Sequence, residues 1–168
     1  MMPMKTIFLV RHAKSSWDFP NLSDFDRPLN NRGLRNAPEM GARLKAKGVY
    51  PDAVISSPAR RAQDTCRIIC REIAFPESNI EFNRNLYDGD EDDILDVIQK
   101  IPDNVDSVFI VTHNPGITFF VNEMVEEDID NVPTCGIVAI TFETNSWKEL
   151  DFGQGELLFF DYPKKKEN

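Results

Sequence analysis

Two short runs of strand-forming residues, Ile7-Phe8-Leu9-Val10 and Val108-Phe109-Ile110-Val111, lead directly into polar ends, Arg11-His12 and Thr112-His113. An apolar run with no polar break marks a strand buried on both faces, and such strands belong to parallel sheets covered by helices. In open α/β sheets, ligands bind beyond the carboxyl ends of the strands. These two histidines are the only ones in the chain, and the pattern carries both to one edge of the sheet. A single histidine at a strand end is more often a packed structural residue than a catalyst, so a functional reading needs convergent chemistry around it. Arg11 supplies some of that chemistry, because a guanidinium at the end of a buried strand needs an anionic partner, either a carboxylate or a bound ligand.

The remaining pattern alternates strand and helix. Lys5 to Val10 is the first strand, followed by a polar loop from Ser15 to Arg27. Asn30 is a good N-cap for a helix whose apolar positions Leu34, Ala37, Met40, Gly41 and Leu44 run until Gly48 stops it. Pro38 interrupts that pattern and is tolerable near the first turn or at a kink. Ala53 to Ser56 reads as a second strand. Pro58 suits the first position of the next helix, which carries Ala62, Cys66, Ile69 and Ile73. Ile80 to Phe82 makes a short strand. Asp90 to Asp93 then place acids in the first turn of an amphipathic helix containing Ile94, Leu95, Val97 and Ile98. Val108 to Thr112 is a strand and Pro115 to Val125 a helix. Ile137 to Phe142 and Glu156 to Phe160 form strand, turn, strand around Gly153 and Gly155, with Phe159, Phe160 and Tyr162 finishing a core strand. The expected fold is a three-layer α/β/α sandwich around a mainly parallel sheet.

At 168 residues with 41% hydrophobic content, the chain reads as one domain with a layered core and a solvated basic tail over about residues 163–168. Its net charge of −9 argues against nucleic acid as a partner. No long apolar stretch follows the N-terminal methionines, so neither a membrane span nor a signal peptide is expected, and a cytoplasmic setting follows. Three cysteines read as reduced thiols, with Cys66 and Cys70 in the core of a helix. With two histidines a zinc site is not expected, nor is any other cofactor.

Arg11, His12, Arg61 and His113 each stand at or just beyond the carboxyl end of a strand, so a parallel sheet gathers them into one pocket suited to a phosphoryl group. Arg60, Arg61 and Thr65 open a helix whose dipole and free amides favour an anion, although Arg60 should point away from its neighbour. An imidazole with one nitrogen held by a carbonyl can attack phosphorus through the other, and His12 is the candidate nucleophile. His113 and the two arginines would steady the transferring group by charge-assisted bonds, with no metal required.

The segment Arg11-His12-Ala13-Lys14-Ser15-Ser16-Trp17-Asp18 resembles the signature of the histidine phosphatase, or phosphoglycerate-mutase-like, superfamily. Asp26-Arg27-Pro28-Leu29-Asn30-Asn31-Arg32-Gly33 is similar to its loop and helix start. Ser56 to Thr65 resembles its second arginine motif, and Val111-Thr112-His113-Asn114-Pro115-Gly116 its second histidine motif. The short chain, Arg27-Pro28-Leu29 and the His-Asn-Pro ending look most like the small SixA-type phosphohistidine phosphatases. The resemblance implies a phosphohistidine intermediate on His12, phosphate bound by Arg11, Arg61 and His113, and Arg27 joining them. Ser15 and Asn114, inside two of these motifs, are further candidate substrate-binding residues. The substrate implied is a phosphohistidine-bearing protein.

Two departures from the family pattern stand out. Ala13 replaces the usual glycine after the nucleophile, and would be strained at a positive φ. Where many relatives carry a glutamate that protonates the leaving oxygen, this chain reads Leu86-Tyr87-Asp88-Gly89-Asp90-Glu91. Asp88 or Asp90 is a candidate general acid, while the plainer role for Asp90 is to cap the following helix. An absent acid suits phosphohistidine, whose imidazole leaves readily. Two alternatives stay open, a phosphomonoesterase or mutase acting on a small metabolite and a phosphate-dependent binding module. Trp17 and Phe19, on the loop, either contact a protein substrate or pack on the sheet edge.

Overall fold

The computed structural model describes residues 3–165. Among them β1 (Met4–Arg11), β2 (Ala53–Ser56), β3 (Ile80–Phe82), β4 (Ser107–Thr112), β5 (Ile137–Glu143) and β6 (Glu156–Asp161) form one sheet. The spatial order is β3-β2-β4-β1-β5-β6. The first four strands of that order run parallel, and β5 and β6 are antiparallel additions on the far side of β1.

Side chains alternate across the central strands and so build two cores. Phe8, Val10, Phe109 and Val111 face α1 (Asn31–Ala46) and α2 (Arg60–Ile73). Ile7, Leu9, Val108 and Ile110 face α3 (Glu91–Gln99) and α4 (Gly116–Val125). Burial on both faces is why these strands carry no polar residue until their ends. The result is the three-layer α/β/α sandwich expected from the sequence.

Several local readings need correction. Pro58 lies before α2, whose cap is Ala59, so it sets the approach to the helix and does not occupy its first position. Pro38 sits in the middle of α1, where it denies the Leu34 carbonyl its helical partner. Leu34 is itself 52% exposed. The buried stripe of α1 starts one residue earlier, at Gly33, and continues through Ala37, Met40, Gly41 and Leu44, so Leu34 is turned about a quarter of the way round to solvent. Phe159 and Phe160 are half-buried on an edge strand, and Tyr162 follows it. Lys164 and Lys165 are exposed, and the rest of the basic tail lies outside the described residues.

Strand register fixes the site. Arg11 pairs with Thr112, and Ser56 with Val111. The residues that follow, His12, His113 and Ser57, therefore emerge side by side at the carboxyl ends of three neighbouring strands.

Candidate active site

The cleft at this edge has a volume of about 700 Å³, and all nine residues singled out from the sequence line it. Arg11, His12, Arg61 and His113 meet at its base, and Ser15, Arg27, Asp88, Asp90 and Asn114 stand on its walls. The His12 and His113 rings lie 5.1 Å apart between centroids.

His12 Nδ1 lies 2.8 Å from the Ala13 carbonyl. A carbonyl only accepts, so Nδ1 carries the proton and Nε2 keeps its lone pair. Nε2 has no partner among the described residues and is not shut off from the cleft. Burial, reinforced by His113 and the two arginines and opposed by the Ala13 bond, pushes the His12 pKa down to about 3. Burial and Arg61 bring His113 to about 3 as well, against the pull of Asp24. Both imidazoles are therefore neutral at physiological pH.

His113 Nε2 is 2.7 Å from Ser57 Oγ. That oxygen accepts the Ala59 amide at 3.2 Å; where its hydroxyl hydrogen goes to Nε2, Nδ1 is the protonated nitrogen. His113 Nδ1, Arg11 Nε and Arg61 Nε are buried nitrogens without a partner among the described residues. Such groups are costly in a finished core, and an oxyanion among them would supply acceptors.

The two arginines differ in their company. Arg61 donates to the Asp24 carbonyl at 2.7 Å and to Asp24 Oδ2 at 3.0 Å. Arg11 donates to the Val132 carbonyl at 2.9 Å and has no carboxylate in ion-pair range among the described residues, while burial lowers its pKa. Arg27 lies over the Trp17 ring at 3.6 Å, donates to Ser15 Oγ at 2.9 Å and pairs with Asp24 at 3.2 Å.

Residues 7–90, half of the chain, match the model of the histidine phosphatase superfamily, branch 1. The chain belongs to this superfamily. Its fold superimposes on a protein of Agrobacterium tumefaciens assigned as a phosphohistidine phosphatase SixA, with a TM-score of 0.82 and 26% identity over 97% of this chain and 100% of the other. A structure of the protein histidine phosphatase SixA complexed with tungstate aligns with a TM-score of 0.80 and 25% identity, covering 94% of this chain and 97% of the other. An uncharacterized protein of Mycobacterium leprae is 29% identical over 167 residues, covering 92% of this chain and all of the relative. The protein is a phosphatase of SixA-like architecture.

Against the superfamily pattern, Ala13 is fully buried, has no positive φ, and donates its amide to Thr65 Oγ1 at 2.9 Å. The strain that alanine would meet at a positive φ does not arise. Asp90 caps α3, accepting from the Asp93 amide at 2.9 Å while Asp93 accepts from the Asp90 amide at 3.0 Å. Asp88 remains an exposed carboxylate with no hydrogen bond or ion pair among the described residues, held on the turn at φ 58°. Ser15 is occupied in holding Arg27. The Asn114 amide is held by Asn131 and Thr118.

Sequence reasoning missed Asp24, Ser57 and Tyr87 as members of the site. Asp24 draws together Arg61, Arg27 and the Tyr87 hydroxyl, the last at 2.7 Å. Burial opposes its charge, but Tyr87 and the two arginines outweigh that and hold its pKa at about 2. Nothing in the aperiodic loop distinguishes Asp24 from Asp18 or Asp26. Ser57 gave one signal, its place directly after β2 on the same edge as the histidines. Among the described residues, no three His, Cys, Asp or Glu side chains are grouped to hold a metal ion, and no helix is long and apolar enough to cross a membrane.

Proposed function

We propose that this phosphatase hydrolyses phosphohistidine on a partner protein through a phosphohistidine intermediate on His12, acting as one domain in the cytoplasm. The observation that carries the reading is the state of His12, a neutral imidazole fixed by Ala13 with its free nitrogen facing a cleft whose Arg11 has no carboxylate partner among the described residues. The SixA relative's binding of tungstate, a tetrahedral oxyanion like phosphate, supports the same use of this pocket. Three unpaired thiols, Cys66, Cys70 and Cys135, suit a reducing compartment.

In the first step the Nε2 lone pair forms a bond to phosphorus as the substrate's phosphorus to nitrogen bond breaks. The departing electron pair goes to the substrate imidazole, which leaves neutral because solvent has protonated its other nitrogen. Arg11, Arg61 and the His113 donor hold the equatorial oxygens, and Arg27 closes the side of the cleft. Water then attacks phosphorus, the pair returns to Nε2, and the water proton leaves with phosphate or solvent. The Nδ1 hydrogen held by Ala13 makes His12 a neutral leaving group in this second half.

Asp88 favours a second reading, a phosphomonoesterase with this carboxyl as general acid, because it lines the cleft and its carboxylate has no other partner among the described residues. The test is rapid acid-free trapping of radiolabelled enzyme with a phosphohistidine protein, an aryl phosphate and sugar phosphates, beside His12→Ala. Label on His12 and phosphate release from phosphohistidine alone are expected. Turnover of alkyl phosphates that vanishes in Asp88→Asn selects the second reading, and release that survives in His12→Ala overturns both.

A further inference from the structure

The cleft is larger than a phosphoryl group needs, being of a size that ordinarily encloses a whole small ligand. Its charges are sorted. Arg11, Lys14, Arg27 and Arg61 come from β1, the loop after it and α2, on the side of the sheet covered by α1 and α2. Asp88 and Asp90 come from the turn before α3, Glu91 from its first turn and Glu123 from α4, on the other side. The two acidic elements are pressed together, for a Cβ on Gly116 would stand 2.4 Å from the Gly89 carbonyl. Gly116, Phe119 and Glu123 lie on one face of α4 and all line the cleft.

Asp90 is spent on its cap, but the carboxylates of Asp88, Glu91 and Glu123 have no hydrogen bond or ion pair among the described residues. Glu91 lies in the first turn of α3, where its charge suits the helix dipole, but none of the three pairs with a basic side chain among the described residues. Phe119, 53% exposed, flanks the opening on the acidic side, while Trp17 on the basic side already carries the Arg27 guanidinium on its ring. Aromatic faces and unpaired carboxylates both attract cations. The pocket base, with buried His113 Nδ1 and Arg61 Nε unpartnered, takes the anion.

Resting on the phosphohistidine reading, we infer that the wall of Asp88, Glu91, Phe119 and Glu123 selects substrates that carry positive charge beside the phosphoryl group, namely a phosphohistidine set among lysines or arginines. The same wall disfavours small polyanionic phosphates, whose second negative charge would face three carboxylates. It also favours the protonated form of the leaving imidazole, the form that departs neutral.

The experiment compares two phosphohistidine peptides of equal length, one flanked by lysine and one by glutamate, with the wild type and a Glu91→Gln, Glu123→Gln double variant whose folding is checked by thermal unfolding. Anisotropy with His12→Ala protein measures binding of the same labelled peptides without turnover. A preference of about tenfold for the lysine peptide in kcat/KM, carried mainly by KM and shrinking severalfold in the double variant and in high salt, is expected from a few close charge pairs. Equal kcat/KM for the two peptides, or a preference the double variant retains in full, overturns the inference. If neither peptide is turned over in a His12-dependent way, the phosphohistidine reading fails separately. The anisotropy ratio then decides the wall's preference alone, tighter lysine-peptide binding supporting it and equal binding ending it.

Discussion

Asp24 grips Arg61 twice, through its backbone carbonyl at 2.7 Å and its carboxylate at 3.0 Å. A guanidinium held by both terminal nitrogens cannot swing toward solvent, so its remaining donors are aimed before any substrate arrives. Asp24→Asn keeps the carbonyl contact and the shape but removes the charge that also faces Arg27. The expected result is a fall of about tenfold in kcat/KM, with KM rising more than kcat falls, and partial recovery in Asp24→Glu. Because the Asp24 pKa is held at about 2, the wild-type to variant ratio should stay flat from pH 5 to 9. A ratio that changes with pH across that range would count against a fixed positioning role.

The contrast between Asp24 and His12 shows what a single sequence discloses. His12 and His113 were legible because each ends a strand whose apolar run has a physical cause, burial on both faces, and strand ends in such sheets converge. Asn30 and Asp90 were legible as caps because capping is local, and their bonds to Gly33 and Asp93 are present. Asp24 acts across 37 residues on Arg61, from a loop with no period, so nothing near it in the chain marks it. Leu34 was misassigned because one residue of phase moves a helix position by about 100°, enough to turn it from core to water.

The neutral histidines have a cost in acid. Both have folded pKa values near 3, below the ordinary 6.5, with burial the leading cause. Between those values the unfolded chain takes up protons that the folded chain refuses, so stability is fully present above about pH 6.5 and declines as pH falls toward 3. Two such groups make the loss between pH 7.5 and 5.0 on the order of a few kcal/mol. Urea midpoints at the two pH values should differ more in the wild type than in a His12→Gln, His113→Gln double variant. Equal pH dependence in the two proteins would mean the imidazoles are not buried neutral.

A Ser57 hydroxyl donating to His113 Nε2 would hold the imidazole proton on Nδ1. With the Ser57 hydroxyl removed, Nε2 loses its partner at 2.7 Å and is free to take the proton that otherwise sits on Nδ1. Ser57→Ala should lower kcat by about ten- to a hundredfold, while stability falls by about 1 kcal/mol. Ser57→Thr, which retains the hydroxyl, should restore most of the activity. Nitrogen NMR of the imidazoles reads the tautomer directly, and an unchanged His113 spectrum in Ser57→Ala would refute the assignment.

Gly33 joins the helix start to the nucleophile's loop. A Cβ there would lie 2.3 Å from the Lys14 carbonyl and 3.1 Å from the Lys14 amide, both rigid backbone atoms. The Lys14 carbonyl accepts the Asn30 amide at 3.0 Å, while the Asn30 side chain accepts the Gly33 amide at 2.9 Å, so neither segment can retreat without losing a bond. Alanine has the higher helix propensity, worth about 1 kcal/mol, yet overpacking against backbone typically costs about 1–3 kcal/mol. Gly33→Ala should therefore destabilise the protein on balance. It should also lower kcat, because Lys14 follows Ala13, whose carbonyl fixes His12. A Gly33→Ala protein with a raised melting temperature and full activity would show that α1 does not hold the loop.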